Sequence, residues 1–308
     1  MVSLRKAILI TGAGGFLGKE LTKQLLKNDD YSVIAVTSQR DSLLNLMGYH
    51  PNLRVIRIED LVGCNVYFDK SLDIAINCAF PRTSDPCELA KGVCLTEQLT
   101  RSILKLGVGR LINISSQSVY SQKAKSVPDE DSQVCPESLY GMAKLACERV
   151  VAIMCQSANV GYSNIRMASL FGVEFHARVI NRFVRDAVEG RPITVYGGTQ
   201  KVSYLTVEDA ALGIIAMVEN SHRPWSDVYN LGSNQSMSLS DLAEVVRVLA
   251  RAYITNEVSL EKKEAVDDFS NLINSRRFFE DFNWQPKDDI EMMVRDSFEY
   301  YSRGVVLT

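Results

Sequence analysis

Several residue types and patterns that identify particular protein classes are scarce in this 308-residue chain. Histidine occurs only as His50, His176 and His222, in unrelated contexts, and the seven cysteines form no Cys-x-x-Cys pair. A metal enzyme is therefore not expected, since no ligand spacing typical of zinc or other transition metals is present. No apolar run approaches the roughly 18 residues of a membrane span. The net charge of −3 and the lack of a Lys/Arg block argue against nucleic-acid binding.

The cysteine content also bears on the cellular compartment. Seven is an odd number, which favours reduced thiols over a disulfide framework. Residues 1–6 lead at once into an apolar run and leave no room for a signal peptide. We therefore expect a cytoplasmic protein without membrane contact.

What the chain does contain is a regular alternation of short apolar runs and amphipathic segments. Apolar runs predict strands at 7–10, 33–36, 55–58, 74–76, 111–114, 163–166, 192–196 and 228–231. Helical patterns lie at 15–27, 88–106, 139–158, 179–189, 209–218 and 290–301, and Ser240 is a candidate helix N-cap. Buried strands separated by helices indicate parallel pairing through right-handed crossovers.

The sequence thus predicts an α/β fold, a Rossmann doubly wound parallel sheet with a smaller C-terminal α/β lobe. Residues 1–170 are expected to form the dinucleotide-binding domain, with return segments at about 200–232. Residues 171–199 and 233–308 are expected to form the substrate lobe. In such sheets the ligand lies beyond the carboxyl ends of the strands.

A glycine-rich turn follows the first predicted strand directly. Backbone N–H groups of this turn, and the positive end of the helix after it, would face a pyrophosphate. Its position after the strand makes a plain βα turn the weaker interpretation. The residues expected to hold the dinucleotide here are Gly12, Gly14, Gly15, Phe16, Leu17 and Gly18.

The end of the second strand bears on the choice between NAD and NADP. NAD-binding folds usually carry an acid there for the ribose 2′-hydroxyl, but this slot holds Thr37. Ser38 and Arg40 offer donors to a 2′-phosphate, which favours NADP, although Arg40 also fits a solvated helix start. Asp60 and Leu61 are expected to flank the adenine. After the fourth strand, Cys78, Ala79 and Phe80 lie where a nicotinamide ribose would sit.

Candidate chemistry lies further along the chain, at Ser116 and at the pair Tyr140 and Lys144. The tyrosine and lysine stand at i and i+4, on one face of a predicted helix. A free phenol has a pKa of about 10. Lys144, together with an oxidised nicotinamide, is expected to lower that pKa, so that Tyr140 acts as acid/base. Ser116 would orient a substrate carbonyl, and Lys144 would also hold the nicotinamide ribose.

Taken in this order, these motifs resemble the extended short-chain dehydrogenase/reductases, the NAD-dependent epimerase/dehydratase family. The similarity runs over nearly the whole chain. The segments that carry it are 11–18, 115–120, 140–144, 166–172, 192–197, 207–210, 228–232 and 282–286.

The resemblance implies a nucleoside-diphosphate sugar as substrate and a homodimer built from the helices after 88 and 139. It also implies that Met167, in place of the family's proline, lies at the cofactor. Sugar-nucleotide 4-epimerases often place a diphosphate-binding arginine where this chain has Val202; Lys201 and Arg182 are possible substitutes, whereas Arg276 and Arg277 match a second such arginine poorly. The candidate substrate contacts are Arg82, Ser116, Gln117, Ser118, Tyr120, Asn181 and Arg182; for Arg82 and Tyr120, a solvated loop and simple packing are the alternatives.

Residues 117 and 118 also subdivide the reactions of the family. The 4,6-dehydratases carry Asp-Glu at these positions, whereas this chain has Gln117 and Ser118. Dehydration and decarboxylation are therefore not expected. Epimerisation and NADPH-dependent ketone reduction both remain open, and a non-catalytic NADP-sensing protein is a third hypothesis from another class.

Overall fold

The computed structural model describes residues 5–68, 71–123, 126–265 and 271–303. The strands are β1 Lys6–Thr11, β2 Tyr31–Thr37, β3 Leu53–Arg57, β4 Ile74–Asn77, β5 Arg110–Ser116, β6 Gly161–Met167, β7 Ser169–Phe171, β8 Ile193–Tyr196, β9 Lys201–Val202, β10 Tyr204–Thr206, β11 Val228–Leu231, β12 Met237–Ser238 and β13 Leu260–Lys263. The helices are α1 Phe16–Leu25, α2 Arg40–Met47, α3 Ile58–Val62, α4 Pro86–Lys105, α5 Leu139–Ser157, α6 Val179–Val188, α7 Val207–Glu219, α8 Leu239–Ala250, α9 Arg276–Phe282 and α10 Ile290–Ser302. A short 3-10 helix covers Gln117–Val119.

Seven of these strands form one parallel sheet in the order β3-β2-β1-β4-β5-β6-β11. The order reverses between β1 and β4, which creates the crevice where Rossmann folds bind ligands. The predicted fold class is confirmed, and every predicted strand and helix is present with small shifts in its bounds. Three further pairs, β7/β10, β9/β12 and β8/β13, form small two-stranded sheets.

Helices cover both faces of the large sheet. One core contains Leu21 of α1 and Ile214 of α7, packed on inward residues of the strands. A second contains Leu99 of α4 and Val151 of α5 on the opposite face. Strands buried on both faces read as continuous apolar runs, which is why the sequence pattern was so clear.

The C-terminal lobe has its own core. Phe183 of α6, Leu242 of α8 and Phe298 of α10 are all completely buried there. By contrast, Phe278 of α9 joins the sheet core and packs edge-on against Tyr229 of β11. The segment 276–282 therefore packs with the dinucleotide-binding side of the molecule, although the predicted boundary assigns it to the smaller lobe.

Two local predictions differ from the structure. The N-cap of α8 is Ser238, whose hydroxyl accepts from the backbone N–H of Asp241, and not Ser240. Ile58, predicted as the end of a strand, begins the short helix α3. Ser238 stands three positions before the acid Asp241, whereas Ser240 stands three before Ala243, so the capping-box spacing fits Ser238 and not Ser240.

Candidate active site

The carboxyl ends of β1, β4 and β5 open into a cavity of about 990 Å³. Many of the predicted site residues meet there although they are far apart in sequence. The predicted residues that line it are Gly12, Gly15, Phe16, Leu17, Gly18, Cys78, Phe80, Arg82, Ser116, Gln117, Ser118, Tyr140, Lys144 and Met167. Gly14, Thr37, Ser38, Arg40, Asp60, Leu61, Ala79, Tyr120, Asn181 and Arg182 do not line it.

The glycine turn is shaped to let a ligand approach the backbone. Gly12 has φ +67°, and a Cβ there would lie 2.8 Å from the backbone of Ala79. A Cβ on Gly18 would lie 2.2 Å from the carbonyl oxygen of Gly12. Helix α1 begins after Gly15, whose position supplies no side-chain cap, so its first N–H groups face the cavity uncapped. An uncapped, positively polarised helix end beside a tight glycine turn fits a dinucleotide pyrophosphate.

The residues considered for contact with the 2′ position of the cofactor ribose lie at the end of β2 and just after it. Thr37 is buried, and its hydroxyl accepts from the backbone N–H of Gln39 at 3.1 Å. Ser38 is exposed. Arg40 donates from Nε to the Val55 carbonyl at 3.3 Å and lies 3.6 Å from the carboxylate of Asp41. The guanidinium thus has partners of its own.

Leu61 differs from the role predicted for it beside the adenine. It is 1% exposed and belongs to the core that contains Val36 and Ile56. Its neighbour Asp60 is exposed and, of the two, offers polar atoms to a ligand at this edge of the sheet.

Tyr140 and Lys144 lie in the first turns of α5, which is capped by the hydroxyl of Ser138 accepting from Gly141 N–H. Gly141 lets the helix approach the segment after β5, because a Cβ there would lie 2.2 Å from the Ser118 carbonyl oxygen. The Tyr140 hydroxyl has no hydrogen-bond partner among the described residues. Lys144 is buried and donates from Nζ to the Ile114 carbonyl at 2.6 Å.

The charges around the phenol differ from the expectation. Burial raises the pKa of Tyr140, while the cations that oppose this rise are Arg82 and then Arg178. Burial lowers the pKa of Lys144 to about 8. The side chains around Tyr140 therefore do not lower its pKa, and Lys144 is not among the charges that act on it. The sequence-based prediction also included the positive charge of an oxidised nicotinamide, which belongs to the cofactor and not to the protein.

The residues after β5 form a polar wall of the same cavity. The Ser116 hydroxyl accepts from Ser118 N–H and donates to the Ser118 hydroxyl, each at 3.1 Å. Gln117 donates from Nε2 to the side-chain oxygens of Ser169 and Asn271, and its Oε1 is buried without a partner. Asn271 donates in turn to the Ser169 hydroxyl at 2.8 Å. The half-buried hydroxyls of Ser116 and Ser118 are the groups of this wall that a polar ligand can reach.

Two predicted substrate contacts are structural residues. Tyr120 is 3% exposed; its hydroxyl accepts from Arg166 at 2.8 Å and donates to Asn230 at 2.9 Å. Arg166 forms a bidentate ion pair with Glu148, both charges being buried. The structure therefore favours the packing alternative for Tyr120, since its hydroxyl completes a buried network behind the site.

Asn181 likewise serves the fold. It is completely buried and donates from Nδ2 to the carbonyls of Gly172, Val173 and Phe175. It fixes the loop between β7 and α6 and does not face the cavity. Arg182 lies over the ring of Phe183 and does not line the cavity either.

The other arginines considered for a diphosphate are also engaged elsewhere. Arg276 pairs with Glu280 on the surface of α9. Arg277 pairs with Asp131. Val202, in the slot where 4-epimerases often carry arginine, is buried in the C-terminal core.

Three residues that line the cavity belong to no motif recognised in the sequence: Phe175, Arg178 and Asn271. Phe175 follows directly on the family-like turn at 166–172, which itself contributes Ser169 to the cavity. Asn271 reaches the site from a distant segment through an isolated bridge with Val202, which local sequence does not reveal.

No group of three or more His, Cys, Asp or Glu suited to a metal ion occurs within the described ranges. All seven cysteines are free. Among the helices of the described residues, none has both the length and the apolar character required to cross a bilayer.

The fold and cavity define a dinucleotide-binding α/β protein with a Tyr-x-x-x-Lys pair at its centre. A sequence model of the NAD dependent epimerase/dehydratase family matches residues 8–232. The chain belongs to this family.

Individual relatives carry different activities. A curated relative, UDP-glucuronic acid decarboxylase 1 of Danio rerio, is 23% identical, with 97% of this chain and 73% of that protein covered. The solved UDP-glucuronic acid 4-epimerase of Bacillus cereus, in complex with UDP-glucuronic acid and NAD, has a TM-score of 0.80 at 20% identity, covering 96% and 99% of the two chains. The dTDP-glucose 4,6-dehydratase of Bacillus anthracis, in complex with NAD, has a TM-score of 0.79 at 20% identity, covering 97% of each chain. At this identity the structural likeness establishes the fold and leaves the reaction to the site.

Proposed function

We propose that the protein is an NAD-dependent 4-epimerase of a nucleoside-diphosphate sugar. The observation that carries the proposal is the meeting, in one cavity, of the uncapped end of α1 with Ser116, Tyr140 and Lys144. Relatives of this fold named as 4-epimerases, one of them solved with both NAD and its sugar nucleotide, support the substrate class.

The chain's own residues would act as follows. NAD, when bound, accepts a hydride from a ring carbon and returns it. Tyr140 takes the proton of the sugar hydroxyl as that hydroxyl becomes a ketone, and gives it back when the alcohol re-forms. The Ser116 hydroxyl donates to the ketone oxygen and keeps it beside the phenol. Lys144 contributes its positive charge near the phenol and a donor toward the cofactor ribose.

The composition of the cavity argues against dehydration and decarboxylation. No aspartate or glutamate is among the described residues that line it. The positions where 4,6-dehydratases carry their acid pair hold Gln117, with an amide in two hydrogen bonds, and Ser118. Elimination needs a group that titrates, and an amide does not.

We propose NAD as the cofactor, with NADP as the alternative that the sequence favours. Arg40, the residue offered for a 2′-phosphate, already donates to Val55 and lies beside Asp41. Three solved relatives are named as complexes with NAD, which also supports NAD over NADP. Against NAD stands the missing acid at Thr37, the one observation that favours an NADPH-dependent keto reductase as second candidate.

We further propose a cytoplasmic homodimer that joins through α4 and α5. Leu139, Met142 and Ile153 on α5 are 52%, 51% and 68% exposed. Their spacing of 3 and 11 residues places them on one stripe of the helix. An exposed apolar stripe of this kind fits a second copy of the same chain.

The reaction is tested by incubating the purified chain with NAD and, separately, UDP-glucose, UDP-N-acetylglucosamine and UDP-glucuronic acid. Proton NMR should show the 4-epimer of at least one sugar, without net accumulation of reduced nicotinamide. Stoichiometric oxidation of NADPH by a 4-keto sugar would identify a reductase instead. Tight cofactor binding without any turnover on the panel would favour the sensing protein.

A further inference from the structure

Two arginines in the cavity share one aromatic ring, and neither has an acidic partner among the residues that the structure describes. The guanidinium carbons of Arg82 and Arg178 lie 4.7 and 5.5 Å from the centre of the Phe175 ring. Phe175 itself packs edge-on against Phe16, with ring centres 4.3 Å apart. Arg82 comes from the loop after β4 and Arg178 from the N-cap position of α6, so the two charges are brought together only by the fold.

Neither guanidinium is neutralised within the part of the chain that the structure describes. No ion pair or side-chain hydrogen bond of either arginine occurs there, and Nε of Arg178 is buried without a partner. Burial and the neighbouring Arg82 lower the pKa of Arg178 to about 10. Arg178 is half-buried, and withdrawing a cation from water without a counter-charge is costly for the folded protein. An arrangement that carries this cost is typical of sites that await an anion.

The segment that carries Arg178 is held in place from behind. Asn181 binds three carbonyls of residues 172–175, and its Oδ1 accepts from the Ser297 hydroxyl at 2.7 Å. The side chains of His176 and Tyr301 form a further hydrogen bond of 2.7 Å. The backbone that leads into Arg178 is therefore held in place by these contacts and is not a free loop.

The location of the pair distinguishes between possible anions. Both arginines line the cavity together with Tyr140, and both act on its phenol electrostatically. In a 4-epimerase the reacting carbon, C4, lies at the phenol, and the diphosphate is attached to the anomeric carbon, C1, on the opposite side of the sugar ring. The carbon next to the reacting one carries the C6 group. A charge close to the phenol is therefore better placed for C6 than for the diphosphate.

We propose that Arg82 and Arg178 form an anion subsite for a carboxylate on the sugar, so that the preferred substrate is a nucleoside-diphosphate hexuronic acid. The inference rests on the proposed function. Arginine is suited to this role because its planar fork pairs with both oxygens of a carboxylate. A neutral hexose would leave both charges unpaired.

The test is isothermal titration of the NAD-loaded protein with UDP-glucuronic acid, UDP-glucose and UDP, and of the cofactor-free protein with NAD. The variants are Arg178→Gln and Arg82→Gln, with Arg276→Gln, a surface arginine of α9 that is 77% exposed, as the matched control. Arg82 is exposed, so Arg82→Gln is expected to fold normally. It therefore still tests the subsite if Arg178→Gln fails to fold.

The wild type is expected to bind UDP-glucuronic acid at least about tenfold more tightly than UDP-glucose. Either cavity variant should lose about 10- to 100-fold in affinity for the acidic sugar, the range of a charged hydrogen bond. The same variants should change the affinities for UDP-glucose, UDP and NAD by less than about threefold, and Arg276→Gln should change none of them.

Three outcomes overturn the subsite. Equal affinity of the wild type for UDP-glucuronic acid and UDP-glucose would show that the arginines do not recognise a sugar carboxylate. An equal loss for both sugars and UDP would assign the arginines to the substrate diphosphate, and a loss confined to NAD would assign them to the cofactor phosphates. If neither sugar nor UDP binds while NAD does, the proposed function fails as well.

Discussion

The ammonium of Lys144 lies 4.4 Å from the centre of the Phe80 ring. The same Phe80 ring packs edge-on against Tyr140 at 5.9 Å, and Gly92 of α4 makes room for it, since a Cβ there would lie 2.8 Å from the ring. Phe80 therefore contacts both Lys144 and Tyr140, the tyrosine proposed as acid/base. The lysine is held by an aromatic face and a carbonyl, both of which are weak substitutes for water around a charge.

The first prediction concerns stability against pH. The pKa of Lys144 is lowered to about 8, below its value near 10.5 in the unfolded chain, so the unfolded state binds more protons between these values. The contribution of Lys144 to stability should therefore rise as pH increases from about 8 to 10.5, and be at its least favourable below pH 8. Lys144→Met should be more stable than wild type at pH 7, and that advantage should shrink above pH 8. Urea unfolding of both proteins across this range measures the difference, and an advantage independent of pH would contradict the assignment.

The second prediction separates the buried network from the catalytic surface. Tyr120→Phe leaves one Arg166 N–H and the Asn230 side-chain oxygen unpaired, at a cost of about 1–3 kcal/mol in the free energy of unfolding. Glu148→Gln breaks a buried ion pair and should cost about 3–5 kcal/mol. Both proteins should keep wild-type KM for the sugar nucleotide at temperatures where they are folded. A KM raised more than tenfold by Tyr120→Phe would restore that tyrosine to the substrate pocket.

The third prediction concerns the approach of α5 to the strand end. Gly141→Ala places a Cβ against the Ser118 carbonyl, which is backbone and unable to swing aside. Overpacking of this kind costs about 1–3 kcal/mol, and it should also shift Tyr140 relative to Ser116 and lower kcat. Gly161→Ala is the control, since its Cβ would meet only the Arg110 side chain at an ordinary 3.5 Å. Equal activity of the two variants would show that the close approach has no role in placing the phenol.

The fourth prediction concerns the cofactor. If NAD is the cofactor and Arg40 is occupied by Val55 and Asp41, Arg40→Ala should change the Kd of NAD by less than about threefold. The wild type should also bind NAD more tightly than NADP. Isothermal titration with NAD and NADP measures both constants. A preference for NADP that disappears in Arg40→Ala would support the sequence-based expectation and the reductase.

The sequence predicts what depends on local spacing. The parallel strands can be recognised in the sequence because each is buried on both faces and forms a continuous apolar run. Tyr140 and Lys144 can be paired because they stand four residues apart on one helix. The glycine turn can also be recognised in the sequence, because its geometry depends on only a few consecutive residues.

Features that depend on distant packing were not predictable in this way. Tyr120 and Asn181 look like polar pocket residues in the sequence, and only the tertiary structure shows them satisfying buried partners. Arg178 and Asn271 enter the cavity from segments without a motif. The capping of α8 by Ser238 in place of Ser240 is a different case, since the spacing of Ser238 to Asp241 was available in the sequence.

The most direct test is the turnover of Tyr140→Phe beside its binding of NAD. The account predicts that kcat on the accepted sugar nucleotide falls by about 10²- to 10⁴-fold while the Kd of NAD stays within a few-fold of wild type. The control Tyr49→Phe, at a tyrosine that is 95% exposed, should behave as wild type. A Tyr140→Phe protein that keeps wild-type turnover would contradict the central claim that this phenol exchanges the proton of the sugar hydroxyl.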